Sequence, residues 1–181
     1  MKKEWKRIVQ LVLALAIGTT LAACGGGKFT DTRDGHTYKT VKIGQDIWLA
    51  ENLAFEAKGS ELPGKEKDNI AKYGRLYPSY ALKEACPKGW HLPSRFEFEK
   101  LLTAACGDPV ACSLKELSKI GFNPQRAGSD EFADFGLNGY IWTSTEKNRY
   151  NYILIFSGTA ATLTAANGTG DLSVRCVKDK E

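Results

Sequence analysis

An α+β fold is what this sequence predicts, on three observations. Apolar side chains recur at helical spacing in the first half, with Phe98, Leu101, Leu102 and Ala105 at i, i+3, i+4 and i+7. Aromatic and β-branched runs separated by turns fill the second half, from Tyr140 to Val177. Near the start, Thr37 to Ile43 alternates apolar with polar and turns at Gly44-Gln45 into Asp46-Ile47-Trp48-Leu49, which reads as a β-hairpin. Helices in one half and an antiparallel meander in the other argue for α+β. At 181 residues, 43% hydrophobic and 25% charged, the chain suits one domain with a proper core.

Residues 1–23 read as an address. Lys2, Lys3, Lys6 and Arg7 form a basic start, Ile8 to Ile17 is apolar apart from Gln10, and small residues follow. The run is short for a membrane span. Leu21-Ala22-Ala23-Cys24 resembles the lipobox of bacterial lipoproteins, where cleavage precedes a Cys that becomes diacylated. The expected organisation is a signal peptide over 1–23, a lipidated Cys24 with a glycine-rich tether over 24–29, and a domain over 30–179. Acyl chains contribute about 0.8 kcal/mol per buried methylene, so the anchor needs no spanning helix. Gly25, in place of the Asp associated with inner-membrane retention in some bacteria, points to the outer membrane. Removing residues 1–23 takes away Lys2, Lys3, Lys6, Arg7 and Glu4, so the net charge falls from +4 to +1. No basic patch is left for nucleic acid.

After the hairpin, Lys58 to Lys72 is polar and rich in Gly, Pro and charge, and reads as a long surface loop. Tyr80, Ala81, Leu82 and Ala85 have helical spacing, giving a short helix over 78–85 that stops at Cys86-Pro87. The stretch Cys86-Pro87-Lys88-Gly89-Trp90-His91-Leu92-Pro93 is an ordered connection, and Ser94 with Glu97 forms an S-x-x-E capping box at the next helix. That helix ends near Gly107. Asp108-Pro109 then supplies a cap and a first-turn proline for a third helix from Val110 to Lys119, stopped by Gly121. Phe122 to Phe135 is irregular. Tyr140 to Thr145 and Tyr150 to Phe156 are strands, the second apolar on both faces like a central strand. Thr159 to Ala165 reads as its return, Asn167-Gly168-Thr169-Gly170-Asp171 as a turn, and Leu172 to Val177 as the closing strand.

Four cysteines remain after Cys24, and in an exported chain they read as disulfides with three pairings open. The short Gly-Asp-Pro-Val-Ala spacer favours Cys106 with Cys112, which leaves Cys86 with Cys176. Four thiolates with His91 lack any C-x-x-C pair, so neither a metal site nor a cofactor is expected.

Several motifs in order, Asp31-Thr32-Arg33-Asp34-Gly35, Trp48-Leu49-Ala50-Glu51-Asn52-Leu53, Tyr73-Gly74-Arg75-Leu76-Tyr77, Cys86-Pro87 with Gly89-Trp90-His91-Leu92-Pro93-Ser94, Trp142-Thr143-Ser144-Thr145-Glu146 and Ser173-Val174-Arg175-Cys176-Val177, resemble the Fibrobacter succinogenes major paralogous domain. The resemblance covers about residues 30–179. It implies a fold similar to C-type lectin-like and sulfatase-modifying-factor domains: a twisted antiparallel sheet flanked by two to three helices, with N- and C-terminal strands paired and Cys86 bridged to Cys176. Members often carry a further Cys pair before the Tyr-Gly-Arg-Leu-Tyr motif. Its absence from Glu61 to Ala71 implies a looser loop there. The resemblance carries no molecular activity.

Candidate chemistry is sparse. His91 and His36 have no evident nucleophile or base partner, and Glu97 and Glu99 read as first-turn helix carboxylates. No enzyme is expected. A calcium-dependent sugar site would need Glu-Pro-Asn and Trp-Asn-Asp clusters; Asn123-Pro124-Gln125 and Trp142-Thr143 do not supply them. Aromatic surface is left. Tyr140, Trp142, Tyr150 and Tyr152, with Asn148 and Arg149 between them, could stack and bond a sugar ring, while the alternative puts Trp142 and Tyr152 in the core. The expectation is a lipid-anchored envelope module that binds a glycan or an envelope protein around 140–152, away from the Cys86 stretch. The alternative is a structural or assembly component of the envelope without a soluble ligand.

Overall fold

The computed structural model describes residues 26–130, 134–166 and 170–180. The expected signal peptide, Cys24 and the Asn167-Gly168-Thr169 turn lie outside the described residues. Two mainly antiparallel sheets with helices between and beside them bear out the α+β expectation.

The first sheet is built from both ends of the chain. β1 (Gly27–Thr30) pairs with β2 (Thr37–Ile43), which forms the expected hairpin with β3 (Asp46–Leu49). Gly44 makes the turn at φ 62°, in the left-handed region that favours glycine. The short α1 (Ile70–Tyr73) precedes β4 (Leu76–Tyr77), and α2 (Leu82–Ala85) precedes β5 (Trp90–His91). α3 (Arg95–Cys106) starts on the capping box read from the sequence: Ser94 Oγ accepts from the Glu97 backbone N–H, and the Glu97 carboxylate accepts from the Ser94 N–H. Then come β6 (Ala111–Ser113), α4 (Leu114–Lys119), the long β7 (Gly139–Lys147), β8 (Tyr150–Ser157) and β9 (Ala160–Ala166), and last the short β10 (Leu172–Ser173) and β11 (Val177–Lys178).

The first sheet has the order β1-β2-β3-β11-β5, with Val177 opposite both Trp48 and His91. The expected union of the hairpin with the closing strand is therefore present. The second sheet runs β4-β10-β7-β8-β9-β6. Because successive strand residues point to opposite faces, β8 serves two cores. Leu154 and Phe156 join Trp48, Phe98, Leu101, Leu102 and Phe122 on one side, and Ile153 joins Trp142, Tyr38, Trp90 and Val174 on the other. Both disulfides form as expected, Cys86–Cys176 and Cys106–Cys112, with Cα separations of 5.9 and 5.5 Å.

Four expectations need correction. The helix expected from Val110 begins only at Leu114. Residues 111–113 instead pair with β9, and Asp108 Oδ1 accepts from the N–H groups of Val110 and Ala111 in a turn that precedes this strand. The helix expected over 78–85 is a 3₁₀ turn, Ser79–Ala81, followed by one α turn. Three residues per turn rotate Tyr80 off the core stripe, and it is 71% exposed. The stretch over 58–72, expected as a long surface loop, carries regular structure. It holds two 3₁₀ turns and α1, buries Pro63, and is bridged to β4 by reciprocal Glu61–Leu76 backbone bonds. The tether expected to run to Phe29 gives way to β1 at Gly27.

Candidate functional site

The aromatic platform expected over 140–152 does not form. Tyr140 and Trp142 lie opposite Ile155 and Ile153 on one face of the second sheet, whereas Tyr152 sits one residue out of phase with Ile153 and takes the other face. Trp142 is fully buried, its indole N–H donating to the Tyr77 carbonyl at 2.8 Å. Tyr152 accepts a bond from Arg95 Nη1 at 3.1 Å, with the guanidinium 4.6 Å from its ring centre. The Tyr140 hydroxyl donates to Asp134 at 2.5 Å, and burial, reinforced by that carboxylate, pushes the phenol up to about 12. Asn148 and Arg149 form the hairpin tip, both at positive φ, 52° and 70°, in the manner of a type I′ turn. Tyr150 beside them is exposed.

The structure brings other residues together. A groove of about 690 Å³ opens where Ser79, Tyr80 and Lys83 face the Cys86–Leu92 stretch on one side and Thr143, Ser144, Glu146 and Asn151 on the other. It adjoins the disulfide stretch, whereas the expected site is sought away from it. Trp90 forms part of its wall and is held from behind by Phe29 of β1, ring centre to ring centre 4.8 Å. Tyr80 forms its lip. The hydroxyl of Tyr80 rests over Gly59, where a Cβ would come within 2.0 Å of it. Helical spacing had assigned Tyr80 to the core, so no signal in the sequence marked it as surface.

His91 on the groove wall has partners that the sequence did not reveal. Its Nε2 meets Glu97 Oε1 at 2.8 Å and its Nδ1 meets Asp179 Oδ1 at 2.6 Å, so one imidazole joins α3 to the residue after β11. Partial burial works against the charged ring, but the bonds to the two carboxylates outweigh it and raise the His91 pKa above its usual value. Burial likewise works against ionised Glu97, and the Ser94 N–H, His91 and the Ser94 hydroxyl outweigh that and lower its pKa. Ser94 bonds Glu97 rather than His91, and both ring nitrogens are engaged. The group is an ion-paired clamp, without the nucleophile-to-base bond that acyl transfer needs.

Away from these lining residues, Arg175 is fully buried. Its guanidinium donates to the Phe122 carbonyl, to Asn52 Oδ1 at 2.7 Å, to the Asn123 carbonyl at 3.2 Å and to Gln125 Oε1 at 3.3 Å, and lies 4.3 Å from the Phe122 ring centre. Burial lowers its pKa to about 9, opposed by the more distant Glu51. Asn52 also donates to Ser173 Oγ and to the Tyr73 carbonyl. Arg175 and Asn52 thus lock the closing segment to the loop after β3. Among the described residues, no three His, Cys, Asp or Glu side chains cluster to hold a metal ion.

The groove can therefore offer an aromatic face, hydroxyl and amide partners, and charge of both signs from Lys83, His91 and Glu146. No curated protein and no solved structure matches the chain. The family model of the Fibrobacter succinogenes major domain matches residues 41–178, from β2 to β11, and the chain belongs to that family.

Proposed function

We propose that this chain is a lipid-anchored lipoprotein of the cell envelope whose domain binds glycan without catalysis. The observation that carries the reading is Tyr80. A tyrosine 71% exposed, fixed over a glycine at the lip of a groove with Ser79, Thr143, Ser144 and Asn151 nearby, has the composition of a sugar-stacking site. The engagement of His91 by two carboxylates and of Cys86, Cys106, Cys112 and Cys176 in disulfides speaks for binding over catalysis. Pairing of the first hairpin with the last strand supports a C-type lectin-like reading of the fold.

The anchor rests on the basic start, the apolar run and Leu21-Ala22-Ala23-Cys24. Among the described residues no helix is long and apolar enough to cross a membrane. With β1 starting at Gly27, only Gly25 and Gly26 would separate the domain from a lipidated Cys24, roughly 10 Å of extended chain. The domain would then ride on the surface of the outer membrane bilayer. A glycan array probed with the domain from Gly25 onward tests the binding reading, with retention on specific glycans expected and uniform background contradicting it. Mass spectrometry of the amino-terminal peptide tests the anchor: a diacylglyceryl-modified Cys24 is expected, and an unmodified terminus contradicts it.

A further inference from the structure

A second groove of about 870 Å³ lies beside Gly59, Glu61 and Gly64. Tyr80 borders both. Phe135 also lines the second groove, packed edge-on against Tyr73 with ring centres 4.9 Å apart. Phe135 repeats the arrangement of Tyr80 over Gly59: its ring sits against Gly64, where a Cβ would come within 3.1 Å of it. Both glycines have positive φ, +81° and +60°, so a side chain at either position would meet backbone strain as well as the ring. One loop, anchored by buried Pro63 and by the Glu61–Leu76 bridge, thus seats two aromatic rings in the wall of the second groove.

We infer that the two grooves form one extended cleft, which takes a linear neutral glycan chain with Tyr80 at its centre and Phe135 at its far end. This rests on the glycan reading above and adds to it the length and charge of the ligand. Each groove alone falls in the range of about 300–1,000 Å³ that suits a small ligand, so the pair exceeds what one sugar ring fills. A peptide that adds a strand is disfavoured. The β4 edge is taken by Glu61, and on β7 the Ser144 N–H donates to the Pro93 carbonyl and the Thr145 N–H to Thr143 Oγ1. Glu61, Asp130 and Asp171 outnumber Lys65 in the second groove, which suits hydroxyls and repels an acidic sugar chain.

The test titrates the full chain in mild detergent with cello-, xylo- and N-acetylchito-oligosaccharides from disaccharide to hexasaccharide, and with oligogalacturonate as the acidic comparison. The expected result is an affinity that rises about tenfold with length in one neutral series, equivalent to one more well-stacked ring. Phe135→Ala should remove that increment while leaving disaccharide binding intact, and Glu61→Gln, at an exposed position, should reduce it without touching the core. A hexasaccharide bound no more tightly than a Tyr80-dependent disaccharide overturns the extended cleft and leaves the single-groove reading standing. Oligogalacturonate bound as tightly as the neutral chain overturns the charge preference, and a chain that binds none of these oligosaccharides overturns both readings.

Discussion

Removing one disulfide at a time separates the two bridges by the size of the loop each closes. Cys86 and Cys176 are 90 residues apart in sequence, Cys106 and Cys112 only 6. Loop-closure entropy gives about 4.6 kcal/mol for the long loop and about 2.2 kcal/mol for the short one. In a domain of this size each kcal/mol shifts the melting temperature by about 2–4 °C, so Cys86→Ala with Cys176→Ala should lower Tm by roughly 9–18 °C. Cys106→Ala with Cys112→Ala should lower it by roughly 4–9 °C. Full burial of Cys176 widens the gap, since truncating it leaves a void beside Val174 in the second core. Scanning calorimetry of the oxidised wild type and the two double variants reads the difference directly. Equal destabilisation, or a larger loss from the short bridge, would refute the view that the Cys86 stretch fastens the helical half to the closing strand.

Three further outcomes are expected. Stability should depend on pH through the His91 clamp. The raised His91 pKa gives a contribution complete below about 6.5 that is lost as pH rises through the folded value, and the lowered Glu97 pKa gives one present above about 4.5 that is lost as pH falls. The optimum therefore lies between those limits. With the His91 side chain 42% exposed, each ion pair contributes only about 0.2–1 kcal/mol, and His91→Asn should flatten the alkaline limb of Tm against pH. Trp142→Ala should cost about 3–5 kcal/mol in urea unfolding, because it empties a fully buried site and removes the indole bond to the Tyr77 carbonyl; a variant that keeps wild-type stability would contradict the core assignment. Gly59→Ala places a methyl within 2.0 Å of the Tyr80 hydroxyl, so it should displace Tyr80 and weaken glycan binding, read by titration calorimetry; unchanged affinity would show that Tyr80 is not seated there.

Local signals were legible in the sequence, and of the long-range ones only the Cys86–Cys176 bridge and the union of the hairpin with the closing strand were. The capping box at Ser94 and Glu97, the apolar stripe of α3 and the Gly44 turn each depend on residues within a few positions, and all three are present. The three residues of β6 carry too short a pattern to read, and their partner β9 is some 50 residues away. Tyr80 was misplaced because 3.6-residue spacing was assumed where the chain turns every three residues. The aromatics of 140–152 looked like one surface because composition does not say which face each takes. A register irregularity between Trp142 and Glu146 further hides the phase of the hairpin. The His91 clamp needed Asp179 from the far end of the chain, a pairing that follows only once β11 lies beside β5.

Isothermal titration of the domain with the best-retained glycan, wild type against Tyr80→Ala, tests the central claim most directly. Tyr80 is exposed and rests over a surface turn, so its removal should leave Tm nearly unchanged. Loss of a stacking face should weaken binding by about tenfold or more. Equal affinity in the two proteins would contradict the claim that the groove beside Tyr80 is where this domain meets its ligand.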